Sequence, residues 1–445
     1  MARYDRRNTL ILGAGRSGRA AANLILELRG RASVADEHWT PENLATLGSE
    51  GISCLRAQHD HLPDGNYDLV VTSPSIPMTH PWIEIARSRG LAIISELELA
   101  SVYWRGETIA VTGSKGKSSV VKCLTDTLTR AGRRAVTAGN YGTPLSERLL
   151  ECPDFGAGTI AVTEVSSFQL EHTRTFSPRI AAILNIQPDH LDRHGSMEVY
   201  QALKQKIFQA MTPAQGRAFL PWGLSPLGIP HGVSLLRFGT EPWVDWRYKA
   251  GVVTHDDITI PIEGVFHNPV LGNAAALIAG ILFELGLTPE QIAAGFAAYE
   301  PLPHRFQKLG QLRGITFIDD SKATTLSATQ AALKMVGGHV RLIAGGRLKE
   351  DDLDFLEEEL ECFAEKAYLI GEAQEALANA WADILPCERC GTLATAVARA
   401  FAEAAPGDTI LLSPGAASFD QYACMSARGD DFAAQFNALA ANSQP

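Results

Sequence analysis

The run Thr108-Ile-Ala-Val-Thr112 empties without a break into Gly113-Ser-Lys-Gly-Lys-Ser-Ser119. A short apolar run of this kind reads as a buried strand, and the glycine turn behind it as one whose backbone N–H groups close around phosphate oxygens. A strand feeding such a turn commits this part of the chain to a mostly parallel α/β sheet. In the turn, Gly113 and Gly116 free the backbone, Lys117 reaches terminal phosphates and Ser118 can hold Mg²⁺, with Ser114, Lys115 and Ser119 completing the loop. The motif is the shorter GxxGKS form, because a full Walker A pattern needs glycine where Val111 stands. An ordinary glycine turn before a helix would look the same in isolation, so the decision rests on what lies downstream.

With 445 residues the chain is too long for one core, and about 150 residues per domain suggests three. The opening reads as a βαβ unit: strand Thr9–Leu12, the turn GAGRSG at Gly13–Gly18, an apolar helix over Ala20–Leu28, and strand Ala32–Ala35 ending at Asp36. Strand-like runs at Asp68–Thr72 and Leu91–Ile94 continue an alternating pattern, giving a Rossmann-like N-terminal domain over 1–102. A central domain of P-loop ATPase type, 103–302, adds buried strands at Thr159–Thr163 and Ile180–Asn185. Its stretch Gly216–Pro261, rich in Pro, Gly and Trp, reads as loops with short antiparallel strands. A third, Rossmann-like α/β domain, 303–445, has strands near Ile315–Ile318, Arg341–Ala344, Ala367–Ile370 and Thr409–Leu412.

Acidic residues exceed basic ones by 50 to 39, so the net charge of −11 offers no general attraction to nucleic acid or an anionic membrane. Phosphate binding must therefore be local. No stretch is long enough to span a bilayer, and the N-terminal apolar run stops at a glycine, which reads as a first strand of a soluble cytoplasmic protein. Seven scattered cysteines suggest reduced thiols, and the lone CxxC at Cys387 and Cys390 has no second pair to make a metal site.

Chemistry gathers at strand ends. Glu164 closes Thr159–Thr163 and is followed by Ser166, Ser167 and Gln169; a carboxylate there suits Mg²⁺. The next strand ends in Asn185-Ile-Gln-Pro-Asp-His-Leu-Asp-Arg193, which puts Asp189, His190 and Asp192 where a second metal or a reacting phosphate would sit. Lys204, in ALKQKIF, reads from spacing alone as a solvated helical charge. In the third region Arg305, Asp320 and Lys322 fall at loops or strand ends, and Gly345-Gly-Arg-Leu-Lys349 adds a cationic glycine turn, a pattern that suits anionic substrates. GAGRSG with Asp36 marks diphosphate binding, of NAD or of a UDP-sugar alike.

Taken in order, GSKGKSS, TEVSSFQLE, ILNIQPDHLDRHGS, GVFHNPVLGNAAA, PHRFQ, IDDSKATT and LLSPGAASFDQY resemble the Mur ligase family over nearly the whole chain. Within it, DSKAT and SPGAASFDQ are similar to the branch that joins D-glutamate to UDP-N-acetylmuramoyl-L-alanine in peptidoglycan precursor synthesis. The resemblance implies that an L-alanyl carboxylate attacks the γ-phosphate of ATP and that the glutamate amine then displaces phosphate from the acyl phosphate. It implies ATP contacts at Gly113–Ser119, Asn273, Arg305 and Asp320. The UDP-substrate would meet Gly13, Ala14, Gly15, Arg16, Ser17, Gly18, Asp36, Asn140 and Gln169. Glutamate would meet Thr324, Lys349, Ser418 and Met425. Ser118 and Glu164 would bind one Mg²⁺ and His190 a second, with Lys204 carbamylated into a ligand. Catalysis would rest on Lys117, His190 and Lys204. The partners implied are small molecules, met by a monomer without nucleic acid or membrane insertion.

The chain departs from the family pattern at Lys115, which replaces Asn, at Thr325, which replaces Asn, and at Met425, which replaces an aromatic ring. The last leaves an L-glutamate-adding branch as an alternative. Lys115 gives a loop similar to that of folylpolyglutamate synthase, though that enzyme has no evident use for GAGRSG or SPGAASFDQ. An NAD-dependent oxidoreductase would leave the phosphate loop unexplained, and a silent scaffold would not need Lys117, Glu164, His190 and Lys204.

Overall fold

The structure, a computed structural model, describes residues 4–349 and 352–442. The chain divides into two compact units, residues 1–267 with 271–299, and residues 268–270 with 300–445.

The first unit carries two sheets. In the N-terminal sheet the strand order is Ser53–Arg56, Arg31–Asp36, Asn8–Leu12, Leu69–Thr72, Ala92–Ser95, all parallel. The chain enters at the middle strand and winds outward both ways, so a crevice opens where Asn8–Leu12 and Leu69–Thr72 end. GAGRSG occupies that crevice and leads into the helix Arg16–Glu27. Gly13 has φ +93°, and a Cβ on Gly18 would lie 1.9 Å from the Gly13 carbonyl oxygen, so the turn tolerates glycine alone at both places.

The nine-stranded central sheet runs Ile258–Pro261, Val252–His255, Trp246–Lys249, Ser234–Gly239, Arg217–Pro221, Ile180–Ile183, Glu107–Thr112, Ile160–Glu164, Ala135–Gly139. The stretch from Gly216 to Pro261 differs from the expectation of loops with short antiparallel strands. Arg217–Pro221, Ser234–Gly239 and Trp246–Lys249 extend the parallel sheet, and antiparallel pairing begins only at Val252–His255. Trp246 is fully buried beside the core residues Phe219 and Phe238, whereas Trp222 and Trp243 are exposed, so only one of the three tryptophans that signal loops is core. The two sheets are joined by Glu98, itself fully buried, whose carboxylate accepts from the N–H groups of Arg174, Thr175 and Phe176 and from the Thr175 hydroxyl.

The second unit has one six-stranded sheet, ordered Gln307–Leu312, Ile315–Asp319, Thr409–Leu412, Val340–Gly345, Ala364–Ile370, Cys387–Gly391, parallel except for the first pair. It is packed on both faces: Leu326, Leu333, Leu360 and Trp381 fill one side, Leu393, Val397, Ala400 and Phe432 the other. All seven cysteines are free thiols, with Cys387 and Cys390 on the outer strand Cys387–Gly391. No helix among the described residues is long and apolar enough to cross a membrane.

Candidate active site

In the first unit, three neighbouring parallel strands converge on the phosphate loop: Glu107–Thr112 leads into it, Ile160–Glu164 ends in Glu164, and Ile180–Ile183 leads to Asn185. Gly113, at φ +150°, and Gly116, at φ +80°, let the loop turn into the helix Lys117–Arg130. Asn185 holds the loop's shape. Its Oδ1 accepts from the N–H groups of Ser114 (3.0 Å) and Lys115 (2.9 Å), and its Nδ2 donates to the Lys115 carbonyl. Ser114 is fixed from the other side, its hydroxyl donating to the Gln187 carbonyl and lying 3.1 Å from the Tyr200 hydroxyl.

The cations are gathered beneath this loop. Lys117 Nζ folds back to donate to the carbonyls of Gly113 (2.7 Å) and Ser114 (2.9 Å). Lys204, placed by the helix Met197–Gln205, donates to the same Gly113 carbonyl at 2.9 Å and lies over the Tyr200 ring. It is 1% exposed, which overturns the reading of a solvated helical charge. Burial, and after it the charge of Lys117, pushes the Lys204 amine down to about 7. Lys115 pairs with Asp189 at 3.5 Å.

Glu164 is 2% exposed. Its Oε1 accepts from Asn140 Nδ2 at 2.6 Å, while its Oε2 is buried with no hydrogen-bond partner. A buried carboxylate oxygen left unpaired beside a phosphate loop and a buried Ser118 fits a hard divalent cation, whose preferred ligands are oxygens. Asn140 thus meets Glu164 directly. His190 is half exposed at φ +54°, with Nε2 3.7 Å from Asp189 Oδ1 and its ring 4.8 Å from Phe168; partial burial lowers its proton affinity. Asp192 is exposed on the short helix Leu191–His194 that follows His190. Gln169 is turned inward, its Oε1 accepting from the Ser166 N–H and hydroxyl in a capping box. Asn273 is exposed in the first turn of Gly272–Glu284.

The diphosphate-type turn reaches this site through Arg16, which donates to the Gly142 carbonyl and the Thr143 hydroxyl, next to Asn140. Gly15 and Arg16 are exposed and Ser17 half-buried at the helix start, while Ala14 is buried. Asp36 is already engaged, accepting from the N–H groups of Ala14 (2.6 Å) and His38 (2.8 Å).

In the second unit, Asp320 accepts from the Phe306 N–H and the Ser413 hydroxyl, and desolvation pushes its carboxyl up to about 7. Its interaction with Arg305 acts the other way. Lys322, Thr324 and Thr325 are half-buried just beyond it, Lys349 is exposed, and Ser418 is buried with an unpartnered hydroxyl. Arg428 ties these segments together, and no role was read for it from the sequence. Buried at 1% exposure, it donates to the Ser321 hydroxyl and carbonyl and to the carbonyls of Gly345 and Ala416, while the Met425 carbonyl accepts from the Ser321 hydroxyl. Asn185 likewise has no role in the sequence reading, although its place at the end of the apolar run Ile180–Asn185 is the available signal.

A parallel sheet with a phosphate loop, an unpaired carboxylate and buried lysines at its strand ends defines a phosphoryl-handling α/β enzyme. Residues 7–95 match the N-terminal domain of MurD-like Mur ligases, 111–222 the Mur ligase middle domain, and 304–415 the Mur ligase glutamate ligase domain. The UDP-N-acetylmuramoylalanine–D-glutamate ligase of Dinoroseobacter shibae is 38% identical over 464 residues, covering 96% of each chain. Its namesake from Streptococcus pyogenes serotype M1 is 33% identical, covering 98% of each. Two solved structures share the fold: the MurF ligase from Thermotoga maritima in complex with ADP (TM-score 0.62, 17% identity, 99% of this chain and 97% of that one) and MurC from the same organism (TM-score 0.60, 16% identity, 98% and 100%). The chain belongs to the Mur ligase family.

Proposed function

We propose that this protein joins D-glutamate to UDP-N-acetylmuramoyl-L-alanine, using ATP and passing through an acyl phosphate. The observation that carries the reading is the convergence of Lys117, Lys204 and the unpaired Glu164 oxygen around one phosphate loop, in a chain whose relatives are named for that ligation. Attack of a carboxylate on a phosphate brings two anions together. Lys117, four residues past Gly113 and already at the loop's mouth, offsets the charge that builds on the γ-phosphate. The loop's N–H groups and the start of the helix Lys117–Arg130 hold the remaining phosphates. Ser118 and Glu164, with His190 and a carbamylated Lys204, would hold Mg²⁺, which when bound neutralises phosphate charge. A lysine with its amine held near neutrality retains a lone pair at physiological pH, which carbamylation by CO₂ requires.

The UDP end of the substrate belongs to the turn Gly13–Gly18 and the region of Asp36, with Asn140 beside the muramoyl part. In the second unit, Arg305 and Asp320 serve the nucleotide, and Lys349, Thr324 and Ser418 receive the amino acid's carboxylates. Met425 lines the side-chain pocket. The test is phosphate release from ATP with UDP-N-acetylmuramoyl-L-alanine and Mg²⁺, run with D-glutamate, L-glutamate and no amino acid. Release with D-glutamate, and formation of the dipeptide product, is the expected result. Dependence on L-glutamate would assign the chain to the other branch, and silence with both would remove the ligase reading.

A further inference from the structure

Away from the phosphate loop, the first unit contains a cavity of about 200 Å³ lined by Arg87, Glu171, His172, Arg174 and Lys206, with Met78 among its apolar walls. His172 is buried, at 8% exposure, and its Nε2 has no hydrogen-bond partner. Buried polar atoms in native proteins are seldom left so, because an unmade bond costs about 1–3 kcal/mol. A ligand in the cavity would supply the missing partner.

The charges on the walls decide its sign. Neither Arg87 nor Arg174 is held in an ion pair among the described residues. Lys206 gives two of its three protons to the carbonyls of Leu170 and Glu171. The one carboxylate in the lining, Glu171, is taken up on both oxygens by Arg193, at 3.0 and 2.6 Å. Glu98, whose carboxylate accepts from the Arg174 N–H, offsets part of the Lys206 charge, and the cationic charge that remains stands around a buried imidazole. Burial, with Arg87, Lys206, Arg193 and Arg174 all acting in the same sense, pushes His172 down to about 4, so at neutral pH it offers a neutral ring able to present Nε2–H. The volume exceeds several times the roughly 30 Å³ share of one water, which is room for an oxyanion of four oxygens.

We propose that this cavity is a binding site for a small tetrahedral oxyanion, of the orthophosphate and phosphomonoester class, received by His172 Nε2–H, Arg87, Arg174 and Lys206. Arg87 belongs to the helix Pro81–Ser88 of the N-terminal sheet, whereas His172 and Arg174 follow the helix Ser167–Leu170 of the central sheet. A bound anion therefore clips the two sheets of the unit together. It also adjoins Arg193, which reaches from Glu171 to the carbonyls of Ser75 and Ile76 and lies three residues past His190. The cavity is separate from the phosphate loop and does not depend on the ligase reading.

The test is a titration of the full chain at constant ionic strength, following the His172 Cε1–H resonance, assigned by its loss in His172→Gln. Orthophosphate, methyl phosphate and acetate are compared, each in the wild type and in Lys117→Ala, which disables the phosphate loop. The expected result is a saturable shift with both phosphates, unchanged in Lys117→Ala and weakened at least tenfold in Arg87→Gln/Arg174→Gln. Tighter binding of methyl phosphate would name a phosphorylated metabolite as the source, and equal or weaker binding the free ion. Phosphate should also raise the melting midpoint of Lys117→Ala and leave that of Lys117→Ala/His172→Phe, which lacks the ring nitrogens, unmoved. A resonance that does not saturate, a response as strong to acetate, or an unaltered response in the arginine double variant would mean an adventitious ion only and would overturn the proposal.

Discussion

Two lysines share one carbonyl beneath the phosphate loop, and their roles separate by burial. Lys117 is half-buried and bonded to the loop's own carbonyls, so on the proposed reading its loss removes a charge from the phosphates without touching the diphosphate-type turn. Lys117→Ala is expected to lower ATP turnover by about 1000-fold or more while changing UDP-substrate affinity by less than about threefold, read by phosphate release and by calorimetric titration. Lys204 is the opposite case, a buried amine with its proton affinity lowered from 10.5 to about 7. Between those pH values the unfolded chain carries a proton that the folded chain lacks, so stability rises with pH across the window; below about 7 both states are protonated and the burial cost is felt in full. Lys204→Met should therefore abolish turnover yet stabilise the fold, by on the order of 1–3 kcal/mol at pH 6 and by less at pH 9, in urea titrations at both values. A gap that does not shrink with pH would contradict the assigned proton affinity. Lys204→Ala should regain part of its turnover when short carboxylic acids are added, if the side chain works as a carbamate.

At the scale of elements, Ser53–Arg56, Ala135–Gly139, Gln307–Leu312 and Cys387–Gly391, which the residue pattern does not reveal, are all edge strands, while the interior strands Arg217–Pro221, Ser234–Gly239 and Trp246–Lys249 are hidden in a stretch whose Pro, Gly and Trp read as loops. An edge strand is buried on fewer sides and need not carry the continuous apolar run that betrays Glu107–Thr112 or Thr409–Leu412. The site shows the same division. Glycine turns and strand-end carboxylates are written locally and were legible, but the burial of Lys204 depends on where its helix packs, and Asn185 and Arg428 act on loops distant in sequence. Glu98 is another such residue, and its loss belongs to this scale. Glu98→Ala would leave the N–H groups of Arg174, Thr175 and Phe176 without the fully buried carboxylate that accepts from them. The expected cost is on the order of 3 kcal/mol or more in denaturant titration, with Glu98→Gln recovering about half.

Across the whole molecule, each compact unit has cores of its own: the clusters around Ile109, Leu24 and Trp82 in the first, those around Leu342 and Phe317 in the second. Cooperative unfolding follows shared burial, so the two units should melt as two transitions. Arg428 provides the handle on the second. Its guanidinium gathers Ser321, Gly345 and Ala416, and replacing it strands their carbonyls in a buried place; burial has already pulled its proton affinity down to about 10, a sign of how completely water is excluded. In scanning calorimetry of the full chain, Arg428→Leu is expected to lower one transition by about 10 °C and leave the other in place. Glu98→Ala should do the converse, by a smaller shift because the first unit is larger. If the two substitutions move the same transition, the units are one cooperative body, and a lesion at Arg428 would then be felt at the phosphate loop as a loss of nucleotide affinity.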